Sequence, residues 1–395
     1  MTANAVFIHH PDAELYRFHE HHPFDPTRLR STIDLLIRSN ALERDEIIVP
    51  QPADDEALLS VHRADYVQAV RHLSDSTPLT DAAAQAERFG LSDEDTPYFV
   101  GMHGAAAAIA GGSICAIEAV ISGQAKRAFH MAGGLHHAFP HRGSGFCVYN
   151  DAAIAIKRIQ AQKDLRILYI DTDVHHGDGV QWVFYDDASV FTYSIHETGK
   201  FLFPGTGFLH ERGTDSGVGT CMNVPLEPYT EDESWMNSFR TTVEEAALLF
   251  KPDLIVSQHG CDAHAYDPLS HMHCSMRIYN EMPLVIRDLA DRYTAGKWVA
   301  LGGGGYDKWR VVPRAWSFIW LAMTEHPLLE RISSAPEKPV SLSEDWRKVW
   351  ADEAGGIDAL PEEWLDDLSQ WTPMPRRDAI EAANQITCSR VLQQY

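Results

Sequence analysis

Along most of the chain, short runs of apolar and β-branched residues alternate with longer stretches of helical periodicity, and this alternation limits the fold more than any other feature. The predicted strands are Ala5–His9, Arg127–His130, Arg166–Asp171, Val190–Ile195, Asp253–Gln258 and Trp298–Leu301. Helical spacing covers Pro26–Ser39, Asp65–Leu73, Gly104–Ser122, Asn150–Gln162, Glu233–Phe250 and Ile278–Tyr293. Strands separated by helices of ten or more residues indicate βαβ units and a mainly parallel sheet. Right-handed crossovers then place helices on both faces. No internal repeat, low-complexity tract or Pro- or Ser-rich linker interrupts the pattern. From about Ser333 the composition shifts toward Trp, Pro and Glu. The expected organisation is one catalytic domain over residues 1–325, with a C-terminal extension over 326–395 packed on it.

In parallel α/β sheets, ligands bind beyond the carboxyl ends of the strands. The polar clusters of this chain fall there. Gly133–Phe139 (GGLHHAF), Asp171–Gly179 (DTDVHHGDG), His259–Pro268 (HGCDAHAYDP) and Gly302–Asp307 (GGGGYD) each follow a predicted strand and should converge at one end of the sheet. In extended chain, alternate side chains share a face, so Asp171, Asp173 and His175 point one way. Two carboxylates that close require a cation, and Asp with His suits a borderline divalent ion such as Zn²⁺ or Fe²⁺. Asp267, in a loop stiffened by Pro268, is the expected third ligand, leaving positions open for water and substrate as in catalytic sites. His136 and His137 could serve as general base and acid, with Asp171 and Asp178 available to orient them. The glycine run Gly302–Gly305 could swing Tyr306 toward a developing oxyanion.

Three look-alikes fail on detail. Gly143–Gly145 lacks the GxSxG pattern, whose glycines would fall at Arg142 and Phe146. His19–His22 has Pro23 where HExxH needs its second His. DTDVHHGDG has Trp182 where a calcium loop needs its glutamate.

Composition narrows the remaining classes. Acidic residues outnumber basic ones 56 to 33, for a net charge of −23. Such a field repels phosphates and argues against direct nucleic-acid binding. The six cysteines form no CxxC pair and fit a reducing cytoplasm. The N-terminus lacks a basic region followed by an apolar run. The longest apolar stretch, Gly104–Gly123, carries Glu118 and reads as a buried helix, so no membrane association is expected.

Taken together, HPFDPTR (His22–Arg28), GGLHHAF, GSGFCVYND (Gly143–Asp151), YIDTDVHHGDGV (Tyr169–Val180), YSIHETGKFLFPGTG (Tyr193–Gly207), DAHAYDPL (Asp262–Leu269) and LGGGGYD (Leu301–Asp307) resemble the histone deacetylase superfamily of the arginase-like fold. Their order and spacing are similar to its bacterial acetoin-utilization AcuC branch, nearest the class I enzymes. The resemblance spans roughly residues 5–325. It implies an open α/β domain with a mainly parallel eight-stranded sheet and a narrow tunnel leading to zinc or ferrous iron. It implies Asp173, His175 and Asp267 as ligands of that metal. His136 and His137 become tandem catalytic histidines partnered by Asp171 and Asp178, and Tyr306 polarises the amide oxygen. A potassium-type ion is implied at Asp171, Asp173, His175, Ser194 and Ile195. Gly145, Phe146, Phe203 and Leu202 are placed at the tunnel, Asp95 at its rim and Arg28 in an exit channel behind the metal.

Two departures bear on substrate range. Tyr266 stands where many relatives have Gly, and Leu202 replaces an aromatic residue. The implied activity is hydrolysis of the acetyl amide of N6-acetyl-lysine in proteins, with acetylated acyl-CoA synthetase as the suggested partner. The alternatives are an acetylpolyamine or other small-molecule amidohydrolase, and a non-catalytic acyl-lysine binding module. An arginase-like dinuclear manganese enzyme would need an Asp near His136. The oligomeric state stays open, with a monomer favoured.

Overall fold

The computed structural model describes residues 3–77, 81–334 and 339–395. Eight strands form one sheet: β1 (Ala3–Ile8), β2 (Ile47–Ile48), β3 (Ala125–His130), β4 (Ile167–Asp171), β5 (Val190–Glu197), β6 (Cys221–Leu226), β7 (Leu254–Gln258) and β8 (Trp298–Leu301). Their lateral order is β2-β1-β3-β8-β7-β4-β5-β6, and every pairing is parallel.

Strands such as β4 and β8 read as continuous apolar runs because both faces of the sheet are covered. On β4, Leu168 and Ile170 join one buried cluster, while Ile167 and Tyr169 join the other. The six strands expected from sequence are all present, with ends shifted by at most two residues. The two additional strands lie at the sheet's edges. β2 is two residues long, and β6 carries Asn223 and Pro225, which break the apolar run. Pro lacks the N–H that an inner strand would need, and an edge strand accommodates it.

The apolar helix Met102–Ile121 is long and apolar enough to cross a membrane. Here it is largely buried, against β1, β3, β8 and the helix Asp151–Gln160. All six cysteines are unpaired.

The C-terminal residues share the apolar core rather than forming one of their own. Trp346, Trp350, Trp364 and Val391 belong to the same buried cluster as the sheet residues Phe129 and Tyr193. Trp346 Nε1 donates to the Ser31 carbonyl at 2.8 Å, and Trp350 Nε1 donates to Asp34 Oδ2 at 2.9 Å. Asn384, on the helix Arg377–Leu392, donates to Thr230 Oγ1 and Ser234 Oγ and accepts from the Glu227 N–H.

Strand order matters most for the site. β3, β8, β7 and β4 are consecutive neighbours at the centre of the sheet. They are the four strands that the polar clusters follow, so those clusters emerge side by side at the carboxyl end.

Candidate metal-binding active site

The floor of the site is built from β4 and β7. Ligand atoms of Asp173, His175 and Asp262 lie within 4.8 Å of one another, and all three residues are buried. His175 Nδ1 is 3.1 Å from both Asp173 Oδ1 and Asp262 Oδ2. Asp173 Oδ2 accepts from Gln258 Nε2 and from the Gly304 N–H, each at 2.8 Å. Asp262 Oδ1 accepts from the Val174 N–H at 2.9 Å. Asp267 adjoins this set. Its Oδ2 accepts from the Tyr306 N–H at 2.7 Å and its Oδ1 from the Leu269 N–H at 3.0 Å.

The sequence reading named Asp267 and passed over Asp262. Asp262 does sit in the same polar segment, but nothing in its spacing marks it over its neighbours. The glycine run explains how the acids come so close to the backbone. A Cβ on Gly304 would lie 2.2 Å from Asp262 Oδ2 and 2.8 Å from Asp173 Oδ2.

This donor set fits a divalent cation. Burial and the neighbouring Asp173 raise the Asp262 carboxyl to about 6. Burial and Asp262 push Asp267 well above the carboxylate range. Three carboxylates crowded in a buried pocket repel one another unless a proton or a cation joins them, and their oxygens together with the His175 nitrogen suit a borderline ion.

The tandem histidines stand beside this floor, each on its own carboxylate. His136 Nδ1 lies 2.8 Å from Asp171 Oδ2, which also accepts from the Tyr169 hydroxyl at 2.9 Å. His137 Nδ1 lies 2.7 Å from Asp178 Oδ1. A carboxylate can only accept, so each ring carries a proton on Nδ1. Their charge states diverge. Burial alone would depress His136, but Asp171 and Asp173 raise it to about 9. Burial and the adjacent His136 drive His137 down to about 4. At neutral pH, His136 is cationic and His137 neutral, with Nε2 free to accept a proton.

A third carboxylate holds the histidine loop from behind. Asp151, fully buried, accepts from the Gly134 and Leu135 N–H groups and from Ser113 Oγ. The sequence reading gave this residue no role, although it ends the GSGFCVYND segment.

Aromatic rings flank the histidines. Phe203 meets His137 edge-on at 5.0 Å and His175 at 6.3 Å. Leu202 beside it is half-buried against the core. Phe146 meets the Tyr306 ring at 5.5 Å. A Cβ on Gly145, whose φ is +51°, would lie 2.5 Å from the His137 ring, so only glycine allows that approach. Burial and Asp262 raise the Tyr306 phenol well above its usual range, leaving it a neutral donor.

Asp95 is exposed, and its carbonyl accepts from His22 Nε2 at 3.1 Å. The next residue, Thr96, accepts the Phe146 N–H at 3.0 Å, coupling this loop to the Gly145–Phe146 turn. Arg28 is buried behind the glycine run. It donates to the carbonyls of Gly303 and Gly305 at 2.9 and 3.0 Å, with its guanidinium over Phe24 and Trp316. Ser194 faces Asp171 across the β4–β5 register, and its hydroxyl lies 2.8 Å from His196 Nδ1. Ile195 follows it in β5, fully buried.

Comparison with known proteins gives a consistent result. The histone deacetylase domain profile matches residues 22–323. The acetoin utilization protein AcuC of Bacillus subtilis (strain 168) is 46% identical over 389 residues, covering 98% of this chain and 97% of its own. AcuC of Staphylococcus aureus (strain MSSA476) is 42% identical over 394 residues, covering 100% and 98%. A crystal structure of an HDAC homolog from Aquifex aeolicus superposes with a TM-score of 0.82 at 28% identity, covering 97% of this chain and 99% of that one. An HDAC homolog complexed with SAHA gives 0.81 at 28% identity, covering 98% and 100%.

Proposed function

The chain belongs to the histone deacetylase family, and on that premise we propose that it hydrolyses the acetyl amide of N6-acetyl-lysine in proteins, releasing acetate and free lysine. The observation that carries this reading is the pair of histidine–carboxylate contacts beside a buried Asp–His donor set. Asp173, His175 and Asp267 would hold the catalytic cation, with Asp262 beside them, and Zn²⁺ or Fe²⁺ is the ion we propose. Such an ion, when bound, polarises the acetyl carbonyl and acidifies water, from ~15.7 toward ~7 in zinc sites.

The protein's own groups do the rest. His137 Nε2 takes the proton of the attacking water while Asp178 holds the ring's Nδ1–H. The same nitrogen then returns a proton to the departing lysine Nζ. His136, kept cationic by Asp171 and Asp173, adds a fixed positive charge beside the reacting carbon. The Tyr306 hydroxyl donates to the developing oxyanion. Gly145, Phe146, Leu202 and Phe203 line the path of the acyl-lysine chain, Asp95 meets the substrate backbone at the rim, and Arg28 lies on the route by which acetate leaves. A potassium-type ion at Asp171, Asp173, His175, Ser194 and the Ile195 backbone would stiffen the β4–β5 end of the site.

We further propose a cytoplasmic monomer acting on an acetylated acyl-CoA synthetase, following the resemblance to the acetoin-utilization branch. The test is turnover of a fluorogenic acetyl-lysine peptide by metal-reconstituted protein, beside His137→Ala and with acetylspermidine in parallel. Metal-dependent release of lysine amine, lost in the variant, is expected. Turnover of acetylspermidine with none of the peptide would replace protein lysine by a small cationic amide as the substrate.

A further inference from the structure

The loop bearing Asp262 and Asp267 is held from outside by the C-terminal segment. His264, midway between the two acids, is fully buried. Its Nδ1 accepts from the Tyr266 N–H at 3.1 Å, so the neutral ring carries its proton on Nε2, which donates to Asp366 Oδ2 at 2.9 Å. The same oxygen accepts from the N–H of Met276, the first residue of the helix Met276–Tyr293, at 2.7 Å. Asp366 Oδ1 accepts from the Arg314 guanidinium at 2.9 Å. Arg314 also donates to the carbonyls of Glu363 and Trp364, fixing the backbone that delivers Asp366. Nearby, the Trp371 ring lies 6.0 Å from His264 and 5.7 Å from Tyr266.

The need for such an anchor follows from what the loop carries. Asp262 and Asp267 share one short loop, so the position of that loop sets how both acids stand toward Asp173 and His175 after β4. Backbone bonds hold the loop from within: Ala265 N–H to the Cys274 carbonyl, Cys274 N–H to the Ala263 carbonyl and Asp267 N–H to the His264 carbonyl. Asp366 pins the loop's midpoint from outside through His264. It lies outside the matched family domain, which ends at residue 323.

We infer that Asp366 is a positioning residue for the metal site: by fixing His264 it sets where Asp262 and Asp267 stand relative to Asp173 and His175. This inference rests on the metal-site reading above.

The test uses the full chain, stripped by a chelator and titrated with Co²⁺, following the visible ligand-field band and competition with a chelating dye. In Asp366→Asn, Co²⁺ affinity should fall ~10–100-fold, the size of effect typical for groups that orient metal ligands. The band should shift as well, while KM for the acetyl-lysine peptide at saturating Co²⁺ stays within about twofold. His264→Gln, which leaves Asp366 its bonds to Arg314 and Met276, should weaken Co²⁺ in the same direction and serves if Asp366→Asn does not fold. Trp346→Phe loosens the same segment at the Ser31 carbonyl, away from the loop, and should keep wild-type affinity.

Unchanged affinity and band in the Asp366 and His264 variants would overturn the inference. Equal losses in Asp366→Asn and Trp346→Phe would also overturn it, leaving only general stability. A wild-type chain that takes up no Co²⁺ would instead overturn the metal-site reading, and this inference with it.

Discussion

The floor of the site and its mouth are built by opposite rules. On the floor, Asp173 receives hydrogen bonds from β7 and from the glycine run, and Asp171 from β4 and from the histidine loop. Each group is fixed by several elements at once, so its position cannot relax without moving the sheet. At the mouth, Asp93, Glu94 and Asp95 are exposed, Phe201 is 62% exposed and Phe203 44%. These side chains sit on loops and have few partners. On the proposed reading, the contrast assigns the chemistry to buried groups held by several partners and substrate contact to exposed loop side chains. Floor variants should therefore change kcat, and mouth variants KM.

Removing the metal gives the largest expected effect: dialysis against a chelator should abolish peptide turnover, and Zn²⁺ or Fe²⁺ should restore it. Full activity in verified metal-free protein would erase the distinction between floor and mouth. Next comes His137→Ala, expected to lower kcat by ~10²–10⁴, the usual contribution of a positioned acid–base group. Steady-state kinetics with KM nearly constant would sharpen the comparison. Tyr306→Phe should cost ~100-fold or more in kcat through loss of an oxyanion donor, and an unchanged kcat removes Tyr306 from the floor.

Phe203→Ala belongs to the mouth. It should raise KM about fivefold, equivalent to about 1 kcal/mol of binding, with kcat little altered. A large kcat loss there would show that this ring orients His137 and belongs with the catalytic groups.

The smallest effect concerns acid stability at the outer edge. Burial alone would raise the Asp25 carboxyl, but Lys308 and the Thr27 N–H lower it to about 2. A depressed carboxyl stabilises the fold above its unfolded value of 3.8, and that contribution is lost as pH falls toward 2. The difference in unfolding free energy between wild type and Asp25→Asn should narrow over that interval. A constant difference would mean that Lys308 contributes nothing through charge.

Much of this was legible before any coordinates. β4, β7 and β8 carry compact apolar runs, Ile167–Ile170, Leu254–Val256 and Trp298–Leu301, so their positions and the polar segments after them stand out. β6 did not, because Asn223 and Pro225 disguise an edge strand. His136, His137, Asp173 and His175 were visible through sheer density of ionisable groups. Asp262, Gln258 and Asp151 were not. Each is one polar residue among several, and its role depends on what lies opposite it in space.

The sequence by itself determined that this is a parallel α/β chain with polar clusters at strand ends, because burial on both sheet faces writes itself into residue periodicity. Only the tertiary structure decided that β4 pairs with β7 and β8 with β3, since lateral order depends on long-range crossovers that leave no local periodic trace. The same holds for the approach of Asp262 to His175 and for the hold of Asp366 on His264 across 102 residues. Charge placement at that distance is fixed by packing, and packing is a property of the whole fold.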